Sequence, residues 1–239
     1  MLMAFFAGAF SLRQPLVVAM DMGLSGLRFL GLMLALFWMQ EAFAKDIDRR
    51  TIAGALAYPA PRSSYVLGRF MGVVALICFT VMVWGGGLYL MNQFADWGYE
   101  SSSINTFGIG FPIVLLGVLL DLIVIGAFFV MISSVAQTPV LPFLLGFGFA
   151  IAARSFGVMI DYLALSNTAD QEMKTVLLPM LEKIRWVLPD LSRLDWRSIC
   201  LYDHWPATGD MIQAVTISLS YSVLMLCVAI FAYNKRDFF

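Results

Sequence analysis

Three ionisable residues stand inside long apolar runs of this 239-residue sequence: Asp121, Arg154 and Asp161. A charge in such a run is costly and is by default a candidate for ion or proton handling, or for a buried pair. Asp121 falls about 13 Å, and Arg154 about 15 Å, from the same end of two consecutive apolar runs at helical rise. The two runs are joined by the tight turn Gln137, Thr138, Pro139, so they form an antiparallel hairpin and the two residues stand at matching depth. An Asp121–Arg154 ion pair is the concrete expectation. Asp161 follows seven residues after Arg154, on the same helical face and nearer the surface. A matched pair of this kind more commonly fixes helix packing than carries protons.

The second chemical feature is the interval Ala44–Gly72, the one long charged and turn-rich stretch in the first half of the chain. It holds Lys45, Arg49, Arg50, Arg62 and Arg69 with Asp46 and Asp48. Ile47, Ile52, Ala53, Leu56 and Ala57 can form an apolar strip on a short helix, which Pro59 and Pro61 stop. Ser63 or Ser64 is then placed to cap the next helix. Arg69, one turn inside that helix, can snorkel to the interface. A charged run is most often a solvated face. Two prolines and a defined strip make this one a candidate docking element for a soluble partner.

Other chemistry is missing. A single histidine, His204, excludes multi-histidine metal sites, and no G-x-S-x-G or H-E-x-x-H occurs. A phosphate-cradling Walker A loop requires Gly-Lys followed by Ser or Thr, and the chain has no Gly-Lys dipeptide. Energy must therefore come from a partner or from an ion gradient. Cys78, Cys200 and Cys227 have no C-x-x-C spacing, giving neither a disulfide framework nor a metal site. A net charge of -1 gives no footprint for nucleic acid.

The elements that position these residues are membrane spans. The chain is 61% hydrophobic and only 13% charged, against about a quarter charged in a soluble domain. This makes it an all-α polytopic membrane helix bundle. Five runs are long enough to cross a bilayer: 23–44, 66–91, 111–136, 140–165 and 211–233. Met1 to about Leu12 is too short, and reads as a truncated first span or as a re-entrant or interfacial helix. Arg13, Gln14, Pro15 and Asp21 mark a turn after it, and Arg28 stands near the outer end of the first full span. The whole of 1–239 is one transmembrane domain, with a cytoplasmic loop at 45–65 and an external loop at 166–210. The cations of the first loop and of the tail (Lys235, Arg236) fall on one side, which the positive-inside rule makes cytoplasmic. Both termini are then inside. In the long loop Met173, Val176, Leu177, Met180, Leu181 and Ile184 recur at helical spacing, an amphipathic helix suited to the outer interface. Gly68-x-x-x-Gly72 permits close helix approach, but such a match is expected by chance among 19 glycines.

The string D-I-D-R-R-T-I-x-x-x-L-x-x-P-x-x-R-x-x-Y-x-L-G-R-F-x-G, Asp46 to Gly72, resembles the loop between the second and third spans of type 2 ABC exporter permeases. Asp46 stands where that family usually has Glu, and Arg69 where it has Lys. The tail F-A-Y-N-K-R-D-F, Phe231 to Phe238, is similar to the family's C-terminal pattern, and L-P-D-L-S-R-L-D-W-R, Leu188 to Arg197, resembles one bacterial branch. The departure is at the front, where the family has an interfacial helix and a full first span. The resemblance implies a non-catalytic permease subunit in a bacterial inner membrane, paired with a second copy or a paralogue in a bed of lipid. ATP and Mg²⁺ would be bound by a separate ATP-binding subunit. The helix after Ala44 would be its coupling helix, with Asp46, Asp48, Arg49, Arg50, Thr51, Leu56, Pro59 and Arg62 transmitting force. Three other classes compete: an ion-coupled secondary transporter or an intramembrane enzyme using Asp121, Arg154 and Asp161, and a non-transporting structural subunit. Lipid, peptide, polysaccharide and drug permeases share this plan, so the cargo is not written in it.

Overall fold

The computed structural model describes residues 1–11, 14–44, 62–95, 108–165 and 189–235, without the side chains of residues 44, 62, 158 and 160–165. Among these residues the secondary structure is helical throughout. The order is α1 (Leu2–Phe10), α2 (Pro15–Met39) with a π-helical turn Gln40–Ala44, α3 (Arg62–Phe94), α4 (Gly110–Val135) and α5 (Val140–Leu165). A 3-10 turn (Leu191–Leu194), the short α6 (Arg197–Tyr202) and α7 (Thr208–Lys235) complete it. Five of the helices, α2, α3, α4, α5 and α7, are long and apolar enough to cross a membrane.

Local chemistry sets the ends. Pro15 opens α2 at a position where its missing N–H costs nothing. The span is therefore longer than the expected 23–44. Asp21 belongs to the second turn of α2 rather than to a turn before it, and Arg28 moves from the helix end to its middle. Helix α3 starts at Arg62, so Ser63 and Ser64 lie inside its first turn instead of capping it. The first segment is a nine-residue helix packed on α2, ended by extended backbone at Ser11.

Helix α4 is the axis of the bundle. Two thirds of its apolar stretch (67%) is buried, against 28–44% in the other four, which leaves their outer faces to lipid. It packs against α2, α3, α5 and α7, and the rings of Phe128 and Phe149 stack 4.0 Å apart between α4 and α5. Hydroxyls on the lipid-facing helices bond within their own helix, as Thr80 does to Leu76, Thr216 to Ile212 and Ser220 to Thr216. That satisfies a donor for which hydrocarbon offers no partner. A Cβ added at Gly68 or Gly72 would meet nothing within 4 Å, so this glycine pair brings no described helix close.

Residues 189–202 are not a surface loop. Leu191, Leu194, Trp196, Ile199, Cys200 and Leu201 are all buried, and the segment sits in the end of the bundle against α2, α4, α5 and α7. We call it the cap. Three glycines make its seat. An added Cβ would come within 2.5 Å of Ile199 at Gly110, 2.5 Å of the Leu194 carbonyl at Gly117, and 2.1 Å of the Ser192 hydroxyl at Gly157.

Candidate functional site

Asp121 is the most buried charge described, with no exposed surface. On α4 it follows Gly117 by one turn, so the residue that admits the cap and the residue that meets it share a face. On α5, Arg154 and Gly157 repeat that arrangement at a spacing of three. Arg154 Nη2 donates to Asp121 Oδ2 at 2.6 Å and its Nε to the same oxygen at 3.1 Å. A second guanidinium reaches this carboxylate from α2, with Arg28 Nε donating to Asp121 Oδ2 at 3.0 Å.

Arg28 is the hub. Besides Asp121, it pairs through Nη1 with Asp195 Oδ2 at 2.6 Å, and donates through Nη2 to the Leu191 carbonyl at 3.1 Å. Both of those partners belong to the cap. Asp195 also receives Arg197 in a two-pronged pair, Nε to Oδ1 and Nη2 to Oδ2, each 2.8 Å. Arg197 then returns to α2, donating to Asp21 at 3.0 Å and to the Ser25 hydroxyl at 2.6 Å. Asp21, Ser25 and Arg28 are spaced by four and three residues and so lie along one face of α2. The result is a ladder of alternating charge, Arg154–Asp121–Arg28–Asp195–Arg197–Asp21, that stitches the cap to α2, α4 and α5.

Burying a carboxylate costs several kcal/mol even after relaxation, and only well-placed charged donors offset that. Two guanidiniums converging on Asp121 meet that requirement. At the outer rungs the same balance sets the direction in which each group is shifted. Burial pushes Asp195 up, but the Arg197 hydrogen bonds and the fields of Arg28 and Arg197 outweigh it, so its carboxyl lies below the ordinary 3.8. The Arg197 guanidinium is raised, first by its bond to Asp195. Cys200, buried beside them, has its thiol pushed up to about 11 by desolvation.

The cap has its own local order. Asp190 accepts from the Ser192 N–H at 3.2 Å and from its hydroxyl at 2.5 Å, capping the 3-10 turn, and pairs with Arg193 at 3.3 Å. Asp203 ends α6 in the left-handed region (φ 52°), where a short polar side chain is tolerated, and accepts from the Trp205 indole at 2.9 Å. His204 is exposed, and no cluster among the described residues could hold a metal ion.

The structure thus brings Asp121 and Arg154 together and adds Arg28, Asp195, Arg197 and Asp21, which the pattern of apolar runs did not single out. Arg28 was hidden by the boundary: with α2 starting at Pro15 it stands about 20 Å along the helix, deep enough to demand a partner. Asp161 lies on α5 two turns beyond Arg154, with its side chain outside the described residues. Asp46, Asp48, Arg49, Arg50, Thr51, Leu56 and Pro59 fall outside the described residues, as does the amphipathic segment around Met173–Ile184. Arg62 is the first residue of α3.

In comparisons with known proteins, the family model described as "ABC-2 family transporter protein" matches residues 6–238, nearly the whole chain. No curated protein matches it.

Proposed function

From the premise that the chain belongs to the ABC-2 transporter family, we propose that it is the permease subunit of an ATP-driven exporter, forming the translocation pathway beside a second copy or a paralogue. Membership makes it an integral membrane permease of an ABC transporter, a family that works with an ATP-binding subunit. The further reading is that this subunit, carrying ATP and Mg²⁺, seats against the 45–65 loop. Force would enter through Asp46, Asp48, Arg49, Arg50, Thr51, Leu56, Pro59 and Arg62, and the chain itself would do no chemistry. Export, rather than import, rests on the likeness of the Asp46–Gly72 string.

The observation that carries this reading is the family match from 6 to 238 on a chain with five spanning helices. It is supported by how the ends are shared. The end of α2, the start of α3, the α4–α5 turn and the end of α7 lie at one end of the bundle, and the cap lies at the other. The basic loop and basic tail on one side favour a bacterial inner membrane with both termini in the cytoplasm and the cap outside. Asp121, with no exposed surface between two guanidiniums, fits a structural fastening better than an ion-coupled carrier.

The test is the double variant Arg49→Glu with Arg50→Glu. Tagged chain is purified with its ATP-binding subunit, and vanadate-sensitive ATP hydrolysis is measured in lipid vesicles. The expected result is normal membrane insertion with loss of the co-purified subunit or of stimulated hydrolysis. Unchanged co-purification and hydrolysis would refute the assignment of the loop.

A further inference from the structure

At the end of the bundle opposite the cap, the π-helical turn Gln40–Ala44 carries α2 to the start of the 45–61 interval, and α3 leaves that interval at Arg62. A π turn departs from the regular helical hydrogen-bond pattern and recurs at functional sites. Here one of its carbonyls has a charged partner. Arg69 Nη1, two turns into α3, donates to the carbonyl of Ala42. The same guanidinium lies 4.6 Å over the ring of Tyr65, one turn earlier on α3. That ring meets Tyr233 of α7 edge-on at 6.5 Å, and Tyr233 is buried. Beneath them Phe43 and Val66 are fully buried, and Met39 and Phe70 close over Gly126 of α4. Arg69, placed to snorkel, thus makes a specific bond across to the end of α2.

We infer that Arg69 is a positioning residue for coupling: it fastens the two helix ends from which the 45–61 interval hangs into one unit, and through Tyr65 and Tyr233 ties that unit to α7. The inference rests on the reading of the 45–65 loop as the coupling element. A push on a loop hung from two separate helix ends can be absorbed by changing the distance between them. With a charge-assisted hydrogen bond across those ends, the same push must move α2 and α3 together. Such bonds are directional and are about twice as strong as neutral ones, and a low local dielectric strengthens them further. The cation–π contact with Tyr65 restrains the guanidinium beside that carbonyl.

The experiment uses the full chain in lipid nanodiscs with its co-purified ATP-binding subunit, comparing wild type with Arg69→Met, Arg69→Lys and Tyr65→Leu. Spin labels at Gln40→Cys and Gly68→Cys, with Cys78, Cys200 and Cys227 replaced by Ser, report the distance between the two helix ends. A side chain at Gly68 meets nothing within 4 Å. The second readout is how far the permease stimulates hydrolysis by the subunit, alongside its binding. Arg69→Met is expected to broaden the label distance and to lower stimulation about tenfold, the factor implied by losing one charge-assisted hydrogen bond, with binding unchanged. Arg69→Lys, which keeps the charge and a hydrogen-bond donor but loses the planar fork, is expected to recover part of both. An unchanged distance or unchanged stimulation in Arg69→Met overturns the inference and leaves the coupling loop standing. If the wild-type chain neither binds nor stimulates a subunit, the coupling reading itself fails and takes the inference with it. Should Arg69→Met not assemble, Tyr65→Leu decides: a smaller shift in the same direction supports the clamp, and wild-type values overturn it.

Discussion

A carboxylate without exposed surface owes its place to the charges beside it, and Asp121 has two. Removing Asp121 leaves Arg28 and Arg154 facing a neutral group inside the bundle. Breaking one side of a buried pair costs about 3–5 kcal/mol, so Asp121→Asn is expected to lower the unfolding midpoint in detergent micelles sharply. Arg154→Met should cost less, because Arg28 still holds the carboxylate. The two changes together should fall short of their sum by at least about 1 kcal/mol, as coupled neighbours do. Strict additivity would show that the pair is not energetically linked. Assembly of Arg154→Met at wild-type levels together with lost transport would instead assign the pair to transport. Farther out, Asp195 makes the cap's stability sensitive to acid. Its carboxyl is held below 3.8 in the folded chain, so the stability it contributes is present above that value and is lost as pH falls through the lower folded one. Tryptophan fluorescence, to which the buried Trp196 contributes, should stay constant from pH 8 to about pH 5 and change only in stronger acid. A transition near pH 6 would point to a different group. Asp121 and Arg154 were legible in the sequence because charges interrupt their apolar runs at matched depth. Arg28 was not, since its role depends on where α2 begins and on a segment 163 residues away.

The cap behaves as an inserted wedge, and its seat is made of absent side chains. At Gly117 an added Cβ would lie 2.5 Å from the Leu194 carbonyl, which is backbone and cannot rotate aside. Gly117→Val is therefore expected to unseat the cap, whereas Gly148→Ala, with nothing within 4 Å, should leave it in place. Cys200 provides the readout. Buried and with its thiol at about 11, it should resist a water-soluble maleimide at pH 8 in the wild type. It should be labelled at least roughly tenfold faster in Gly117→Val, as a thiol that regains water approaches its ordinary reactivity. Equal labelling of Cys200 in the two glycine variants would sink the wedge. The spanning helices were readable from length and hydropathy, and the α5 bounds coincide with the expected 140–165. The cap was not, because Pro189–Tyr202 carries a tryptophan and the alternating charges of an interfacial loop. Its burial comes from complementarity with Gly110, Gly117 and Gly157, and no local pattern encodes that. The π turn was equally hidden: Q-E-A-F-A reads as ordinary helix, and its irregularity is stabilised by Arg69 from another element.

At the scale of the whole molecule, the two ends of one helical bundle are built in opposite ways. One end is tied by six charged side chains and a folded wedge. At the other, Arg69 joins the end of α2 to the start of α3. If Arg49→Glu with Arg50→Glu abolishes stimulated hydrolysis while Cys200 stays protected, the two ends are independently folded. If Cys200 becomes reactive as well, the loop and the cap share one cooperative unit. Residues 189–202 contain Asp190 and Asp195 with Arg193 and Arg197, two negative and two positive charges. Moving one elementary charge through the membrane's electric field is worth about 2.3 kcal/mol per 100 mV. Lifting this segment out of the bundle moves none, net. Its seating is therefore expected to be indifferent to the membrane voltage, and Cys200 labelling should be the same in energised and depolarised vesicles.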